Sequence, residues 1–164
     1  MYLVNKEKIN RSLSAKIVDA RVAQVFNTFK DVLVTSSFGT TSAVMLHLVS
    51  RIKPSCTIYF IDTGYHFEET IAYKERLTRL LDLNVIDLRP DPAQHARTFK
   101  ENLWADNPDE CCDINKVEPL DRVKKDYKVW MSGLIGFQNR HRNSLPIMDD
   151  NNNLVKFHPL IDWN

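Results

Sequence analysis

Two spacings of apolar residues alternate along this chain, and each predicts one type of secondary structure. Val18, Val22 and Phe29 recur at the helical spacing, which predicts an amphipathic helix over residues 17–29. Short runs rich in β-branched and aromatic residues, bounded by turn-forming residues, predict strands. The predicted strands are residues 31–36, 56–62, 84–90, 127–133 and 153–160, and further helices are predicted over residues 41–51, 68–81 and 114–125.

This alternation of strands and helices predicts an α/β fold, with a mainly parallel sheet of about five strands and helices on both faces. The 164 residues contain no internal repeat, linker or low-complexity tract, so we expect one domain, residues 1–164. A domain of this length buries roughly 70% of its unfolded surface and needs no metal or disulfide to fold. Ligands of such sheets bind at the carboxyl ends of the strands, where the candidate chemistry is therefore expected.

The charge of the chain is balanced, with 22 basic and 21 acidic residues and a formal net charge of +1. A balanced charge gives no general attraction to polyanions, and no stretch approaches the roughly 18 apolar residues that cross a bilayer. We therefore expect a cytoplasmic protein with no nucleic acid and no membrane among its partners.

The three cysteines, Cys56, Cys111 and Cys112, are too few and wrongly spaced for a secreted disulfide framework. That leaves metal binding, redox chemistry or plain burial. Burial is the expected role of Cys56, because it lies in a predicted strand.

The sequence "SSFGTTS", residues 36–42, lies between the first predicted strand and the helix that follows it. Unpaired N–H groups and the positive dipole end at a helix N-terminus favour an anion, and Gly39 allows a ligand to approach the backbone closely. An ordinary strand-to-helix turn with a Ser or Thr cap has a similar sequence, so this stretch alone leaves both interpretations open.

The second candidate stretch, "DTGYHFEET", follows the second predicted strand, where Asp62 and Thr63 are placed to reach a ribose or an adenine edge. An Asp-Thr-Gly turn that caps the next helix is the alternative. The third stretch places Cys111 and Cys112 about one helical turn before Lys116. A lysine beside thiolates lowers their pKa and also holds anions, whereas burial of the cysteines is the alternative.

A fourth stretch follows the predicted strand that ends at Ser132 and Gly133, and it carries Arg140, His141 and Arg142. Arginine binds phosphate or sulfate oxygens in a bidentate manner, and a solvated surface loop is the alternative. The remaining histidines show no metal-ligand spacing and are expected to be structural or incidental. They are His47, His66, His95 and His158.

Taken in this order, the stretches resemble the adenylyl-sulfate and phosphoadenylyl-sulfate reductase family, from about residue 22 to the end of the chain. The resemblance rests on "SSFGTTSAVMLHLV", "IDTGYHFEET", "DINKVEPL" and "WMSG" with the later "HPLIDW". It implies an adenine-nucleotide alpha-hydrolase-like (PP-loop) fold. It also implies reduction of activated sulfate to sulfite in sulfate assimilation, with thioredoxin or glutaredoxin as electron donor. These enzymes never cleave a triphosphate, in keeping with Thr41 at the position of the aspartate in the pyrophosphatase pattern "SGGKDS".

The resemblance also implies roles for individual residues. The implied nucleotide-binding residues are Ser36, Ser37, Phe38, Gly39, Thr40, Thr41, Ser42, Asp62, Thr63, Gly64 and Gly133; the implied sulfate- or phosphate-binding residues are Lys116, Arg140 and Arg142. One departure concerns Ile135 and Gly136, which stand where the family usually has two arginines. Part of the anion-binding set is therefore missing or is supplied by Arg140.

The pair Cys111 and Cys112 resembles the first half of the four-cysteine iron–sulfur set of the adenylyl-sulfate branch. This implies a 4Fe-4S cofactor whose ligand set is incomplete, because three cysteines cannot supply four thiolates. The catalytic cysteine of the family lies in a Glu-Cys-Gly tail that these 164 residues do not contain, so no catalytic residue is assigned. We expect residues 1–164 to bind the nucleotide without releasing sulfite.

Several alternatives stay open at this point. The substrate is either adenylyl sulfate or phosphoadenylyl sulfate. The oligomeric state is also open, and a homo-oligomer is one possibility. A non-catalytic nucleotide-binding remnant of the family would keep the same motifs. A subunit that adds sulfur to RNA or DNA would use the same fold but a basic surface, which the net charge of +1 does not indicate.

Overall fold

A computed structural model describes residues 6–151 and 154–163, and six strands within them form one sheet. The strands are β1 (Val32–Thr35), β2 (Thr57–Ile61), β3 (Asn84–Leu88), β4 (Val129–Ser132), β5 (Met148–Asn151) and β6 (Leu154–Phe157). Their order across the sheet is β3-β2-β1-β4-β6-β5, and every neighbouring pair is parallel except β5 with β6. The predicted α/β fold with a mainly parallel sheet is confirmed.

Helices flank this sheet and connect its strands. They are α1 (Lys6–Ser14), α2 (Val18–Thr28), α3 (Ser42–Ile52), α4 (Glu68–Leu81), α5 (Pro92–Lys100), α6 (Leu103–Asp106), α7 (Pro108–Cys112), α8 (Glu118–Lys124) and α9 (Arg140–Asn143). A π-helical turn, Asp113–Val117, joins α7 to α8, and a 3₁₀ turn, Gly136–Gln138, precedes α9. Within the described ranges, none of these helices has the length and apolar character required to cross a membrane.

The core lies against the central strands because their apolar residues are covered on both faces. All four residues of β1 are buried, as expected for a central strand of a parallel sheet. The strand residues with almost no solvent exposure are Leu33, Val34, Ile58, Phe60, Val129, Met131 and Phe157. The edge strand β3 contains no fully buried residue, so it contributes less to the core.

Most predicted elements agree with the structure to within one or two residues at each end, but the carboxyl-terminal strand prediction is wrong in part. The strand predicted over residues 153–160 is present as β6, which ends at Phe157, and it forms a hairpin with β5, a strand that was not predicted. In this hairpin Met148 pairs with Phe157 and Asn151 with Leu154. The stretch "DDNNN" was expected to be a turn, yet residues 149–151 belong to β5, and residues 152–153 lie outside the described residues. Pairing with β6 overrides the low strand propensity of Asp and Asn, which are tolerated at a sheet edge.

Two further differences concern helices. The mixed-charge segment before residue 15 was not predicted to be helical, and the structure has α1 there, with Leu13 fully buried. The helix predicted over residues 114–125 begins earlier, at Pro108, and is widened by the π-helical turn. Proline at the first turn and the Asn107 side chain, which accepts from the Glu110 N–H, mark that earlier start.

Candidate nucleotide site

The order of the strands places the candidate site at the carboxyl ends of β1, β2 and β4. The chain runs from β1 outward to β3 on one side and resumes with β4 on the other, so the sheet order reverses between β1 and β4. Ligands of open α/β sheets bind at such a reversal. Thr35 pairs with Ser132 across it, and the Trp130 Nε1 donates to Thr35 Oγ1 at 2.8 Å. We call residues 36–42, 62–64 and 132–133 the strand-end site.

The loop after β1 is held by its buried members and presents the others to solvent. Phe38 is 1% exposed, and its ring meets Phe60 edge-on with centroids 5.6 Å apart. Its backbone is left-handed, with φ of 50°, and its N–H donates to Ser36 Oγ at 3.1 Å. This conformation costs an L-residue about 1–2 kcal/mol, which burial of the ring offsets. Phe38 is thus an anchor of the loop rather than a side chain available to a ligand.

The exposed residues of this loop lie at the start of α3. They are Ser37, Gly39, Thr40 and Thr41. Thr41 makes no side-chain capping bond, and Ser42 Oγ donates to the Gly39 carbonyl at 2.5 Å instead of capping the helix. An ordinary Ser/Thr side-chain cap, the alternative for this stretch, is therefore absent at this helix start. The Ser42 N–H donates to the Gly39 carbonyl at 2.9 Å, so an anion would be bound by the N–H groups that follow it and by the positive end of the helix dipole.

The turn after β2 is rigid and requires glycine. The Gly64 N–H donates to Asp62 Oδ1 at 3.2 Å, and Arg89 Nε donates to Asp62 Oδ2 at 3.0 Å. Gly64 has φ of 72°, and a Cβ there would lie 2.5 Å from the His95 ring. A cavity of about 250 Å³ adjoins this turn, with Asp62, Gly64, Arg89 and His95 in its lining.

A larger groove of about 440 Å³ lies between α4 and β3, but its charged side chains already pair with one another. Lys74 Nζ lies 2.8 Å from Asp87 Oδ1, for example. This groove is therefore a weaker candidate for an anion-binding site than the strand-end site.

Gly133, at the end of β4, packs closely on α3: a Cβ at this position would lie 3.3 Å from the Met45 sulfur. Its neighbour Ser132 is hydrogen-bonded through Oγ to His158 Nδ1 at 3.1 Å. Burial, chiefly, and then Lys156 lower the pKa of His158 to about 4, so its imidazole is neutral near pH 7. His158 is expected from the sequence to be structural or incidental, and the structure gives it a structural contact with Ser132 of the strand-end site.

The predicted anion-binding side chains lie on two different elements. Lys116 is exposed on the π-helical turn, whereas Arg140 and Arg142 lie on α9, where Arg142 donates to Gln138 Oε1. Ile135 is 2% exposed, and the Gly136 N–H donates to the Ile161 carbonyl at 2.9 Å.

A Cβ at Gly136 would overlap that carbonyl oxygen, so the backbone here cannot accept an arginine at this position without moving. The idea that Arg140 replaces the missing arginines stays a prediction.

The three cysteines do not form a metal site. Cys111 is buried and Cys112 is exposed, and Cys56 directly precedes β2, at the amino ends of the strands, whereas the strand-end site lies at their carboxyl ends. Burial raises the pKa of Cys56 to about 11. Within residues 6–151 and 154–163, no group of three or more His, Cys, Asp or Glu side chains is arranged to hold a metal. The residues present therefore do not fit a 4Fe-4S cluster.

Comparisons with known proteins identify the family of this chain. Residues 31–164 match the family described as phosphoadenosine phosphosulfate reductase domain. A relative named adenosine 5'-phosphosulfate reductase, from Mesorhizobium japonicum, is 35% identical over 150 residues, which are 90% of this chain and 58% of the relative. A phosphoadenosine 5'-phosphosulfate reductase from Gloeobacter violaceus is 37% identical over 151 residues, or 88% of this chain and 63% of that protein. The chain thus spans about three fifths of the length of these relatives.

A solved structure has a closely similar fold. The phosphoadenylyl-sulfate reductase from Candida auris, in a phosphate complex, superposes with a TM-score of 0.85 at 23% identity, covering all of this chain and 82% of that one. The extent of the family match and the identity to the two curated relatives lead to the same conclusion. This chain belongs to the phosphoadenosine phosphosulfate reductase domain family.

Proposed function

We propose that the strand-end site binds an adenosine-containing sulfonucleotide, adenylyl sulfate or phosphoadenylyl sulfate, for thiol-dependent reduction to sulfite. The observation that carries this proposal is the start of α3, which has no side-chain cap and lies beside exposed Gly39, next to the reversal of the sheet order. Such a helix start attracts an anion, and the absence of a lysine or aspartate in "SSFGTTS" disfavours triphosphate cleavage. The reductase names of the relatives support the same substrate class.

In this proposal the site residues divide into two groups. The loop over residues 36–42, the turn over residues 62–64 and Gly133 contact the nucleoside and its phosphate. The Asp62 carboxylate suits ribose hydroxyls, because a carboxylate only accepts hydrogen bonds and hydroxyls donate them. Lys116, Arg140 and Arg142 neutralise the sulfate and phosphate charges through charge-assisted hydrogen bonds.

The proposed chemistry begins when a cysteine thiolate attacks the sulfur of the activated sulfate. The new S–S bond replaces the sulfur–oxygen bond to the nucleotide, whose phosphate leaves, and a dithiol donor such as thioredoxin or glutaredoxin then releases sulfite and becomes a disulfide. None of the three cysteines suits the first step. Cys56 lies at the amino ends of the strands, away from the strand-end site, and burial raises its pKa. Cys111 is buried. Cys112 is exposed but lies on α7, outside the strand-end site.

The loop is tested by the substitution Gly39→Val, measured by calorimetry with AMP and adenylyl sulfate. A Cβ at Gly39 meets only Ser37 Oγ, at 3.7 Å, so the fold is expected to tolerate it. A ligand that approaches the backbone there is displaced, and we expect affinity to fall about tenfold or more. The control is Ser55→Val, at an exposed position in the turn before β2, at the amino ends of the strands. Equal affinity of Gly39→Val and the parent protein would place the ligand elsewhere.

A second expected result separates binding from turnover. Residues 1–164 should bind adenylyl sulfate yet release no sulfite when thioredoxin and its reducing system are supplied, because no cysteine meets the positional demand of attack. Sulfite is measured colorimetrically against a full-length relative as positive control. Sulfite production that disappears in Cys112→Ser would show instead that this exposed thiol acts as the nucleophile.

A further inference from the structure

His95 connects the turn after β2 to the π-helical turn that carries Lys116. Its Nδ1 lies 2.6 Å from the side-chain Oδ1 of Asn115, a residue that is 2% exposed and directly precedes Lys116. Neither His95 nor Asn115 stood out in the sequence, because the two residues are 20 positions apart and meet only when α5 packs on the π-helical turn.

The direction of this hydrogen bond follows from the other partner of Asn115. Its Nδ2 donates to the Cys111 carbonyl at 2.9 Å and lies 3.5 Å from the Cys111 sulfur, so its Oδ1 is the acceptor. His95 Nδ1 therefore carries the proton and donates.

The opposite edge of the His95 ring lies against the turn after β2. Its Cε1 and Nε2 atoms occupy the space where a Cβ of Gly64 would be, 2.5 Å away. The next residue, Tyr65, is fixed to the same helix: its hydroxyl lies 2.8 Å from Thr98 Oγ1, and its ring stacks on Phe99 with centroids 4.4 Å apart. The turn is thus packed on α5, and α5 is hydrogen-bonded to the π-helical turn.

The π-helical turn makes the orientation of Lys116 depend on such a contact. In this turn the backbone bonds reach five residues back, as from the Glu118 N–H to the Asp113 carbonyl. The side chains are therefore rotated relative to those of a regular α-helix. The Asn115 side chain bonds both the preceding helical turn and His95, which defines this rotation. Lys116 itself is exposed.

We propose that His95 and Asn115 are positioning residues that hold Lys116 in fixed relation to the turn over residues 62–64. This proposal rests on the proposed function, in which the turn contacts the nucleoside and Lys116 contacts the sulfate. With both ends held, the backbone that carries Lys116 is already in place when the sulfonucleotide binds, so the π-helical turn does not have to be ordered on binding. The contribution of His95 to affinity is then made through Lys116.

The test is a double-mutant cycle on His95 and Lys116, with AMP and adenylyl sulfate as ligands. Lys116→Ala should weaken adenylyl sulfate about tenfold while changing AMP less, because AMP lacks the sulfate. His95→Leu, which keeps the bulk but removes the donor, should reduce the preference for adenylyl sulfate over AMP about threefold. It should have no further effect on that preference in the Lys116→Ala background. His95→Asn, which retains an N–H donor near the position of Nδ1, should restore the preference.

Controls distinguish the outcomes. Gln94→Ala, on the exposed face of the same helix, should match the parent protein, and circular dichroism should show that each variant is folded. If the parent protein binds neither ligand, the proposed function fails. The positioning role is tested separately, when the parent protein binds both ligands and Lys116→Ala weakens adenylyl sulfate more than AMP. If His95→Leu then weakens the binding of both ligands equally in both backgrounds, the positioning role is overturned. A preference equal to that of the parent protein in His95→Leu, together with a reduced preference in His95→Asn, would also overturn it, since packing rather than the donor would then matter.

Discussion

Replacing Arg21 with methionine is expected to lower the free energy of unfolding by about 1–3 kcal/mol, the usual cost of leaving buried hydrogen-bonding groups without a partner; the Asp162 side chain is 48% exposed and regains water. Arg21 is 5% exposed, and its guanidinium donates to both carboxylate oxygens of Asp162, at 2.5 and 2.7 Å. The same group donates to the carbonyls of Leu13 at 2.8 Å, Lys16 at 2.9 Å and Pro159 at 3.2 Å. Methionine fills much of the space but leaves these acceptors without their donors.

The segment "HPLIDW" makes this stability effect relevant to the candidate site. Arg21 ties Asp162 and Pro159 of that segment to the start of α2, and His158 of the same segment holds Ser132 at the strand-end site. Urea denaturation of Arg21→Met and the parent protein measures the loss, and Lys16→Met, an exposed position nearby, is the control. A loss below about 1 kcal/mol would show that the pair contributes no more than a surface ion pair.

The pH dependence of this loss has a defined sign. The hydrogen bond from Arg21 lowers the pKa of Asp162 below its ordinary value of 3.8. A lowered carboxyl pKa in the folded state contributes stability that is present above pH 3.8 and is lost as pH falls through the folded pKa. The difference in the free energy of unfolding between the parent protein and Arg21→Met should therefore be constant near neutral pH and should become smaller in acid.

Gly136→Arg, which restores one of the two arginines usual in the family, is expected to destabilise the protein by about 3 kcal/mol and to give no gain in nucleotide affinity. The physical reason is the absence of space: any Cβ at this position overlaps the Ile161 carbonyl oxygen, which also accepts the Gly136 N–H at 2.9 Å. Accepting a side chain requires the segment around Ile161 to move, and that residue is buried in the core.

Phe137→Arg is the matched control, because Phe137 is 67% exposed and one residue further along. It should leave the thermal midpoint nearly unchanged, while Gly136→Arg lowers it by several degrees. Tighter binding of adenylyl sulfate by a stable Gly136→Arg would show that the backbone adapts and that the family's anion contact is restored.

Local features of the sequence were sufficient to predict the helices α2, α3 and α4 and the four strands β1 to β4. Each of these elements has a periodic or continuous apolar pattern, and such patterns depend only on which face of the element is buried. The positions of the loop over residues 36–42 and of the turn over residues 62–64 follow from the same strand predictions, because both directly follow a strand. Thr41 in place of an aspartate was likewise visible in the sequence.

The amino-acid sequence was therefore enough to predict the α/β class, the location of the candidate site at the strand ends and the family motifs that occupy it. The tertiary structure alone decided which residues meet across the chain. Arg21 and Asp162 are 141 positions apart, and His95 and Asn115 are 20 apart, so no local pattern reveals their contacts. It also decided that Phe38 is buried in a left-handed conformation, that Gly136 has no space for a side chain, and that polar residues 149–151 form an edge strand. The physical reason is common to these cases: local patterns report which residues favour burial, whereas packing decides which partner occupies the space beside them.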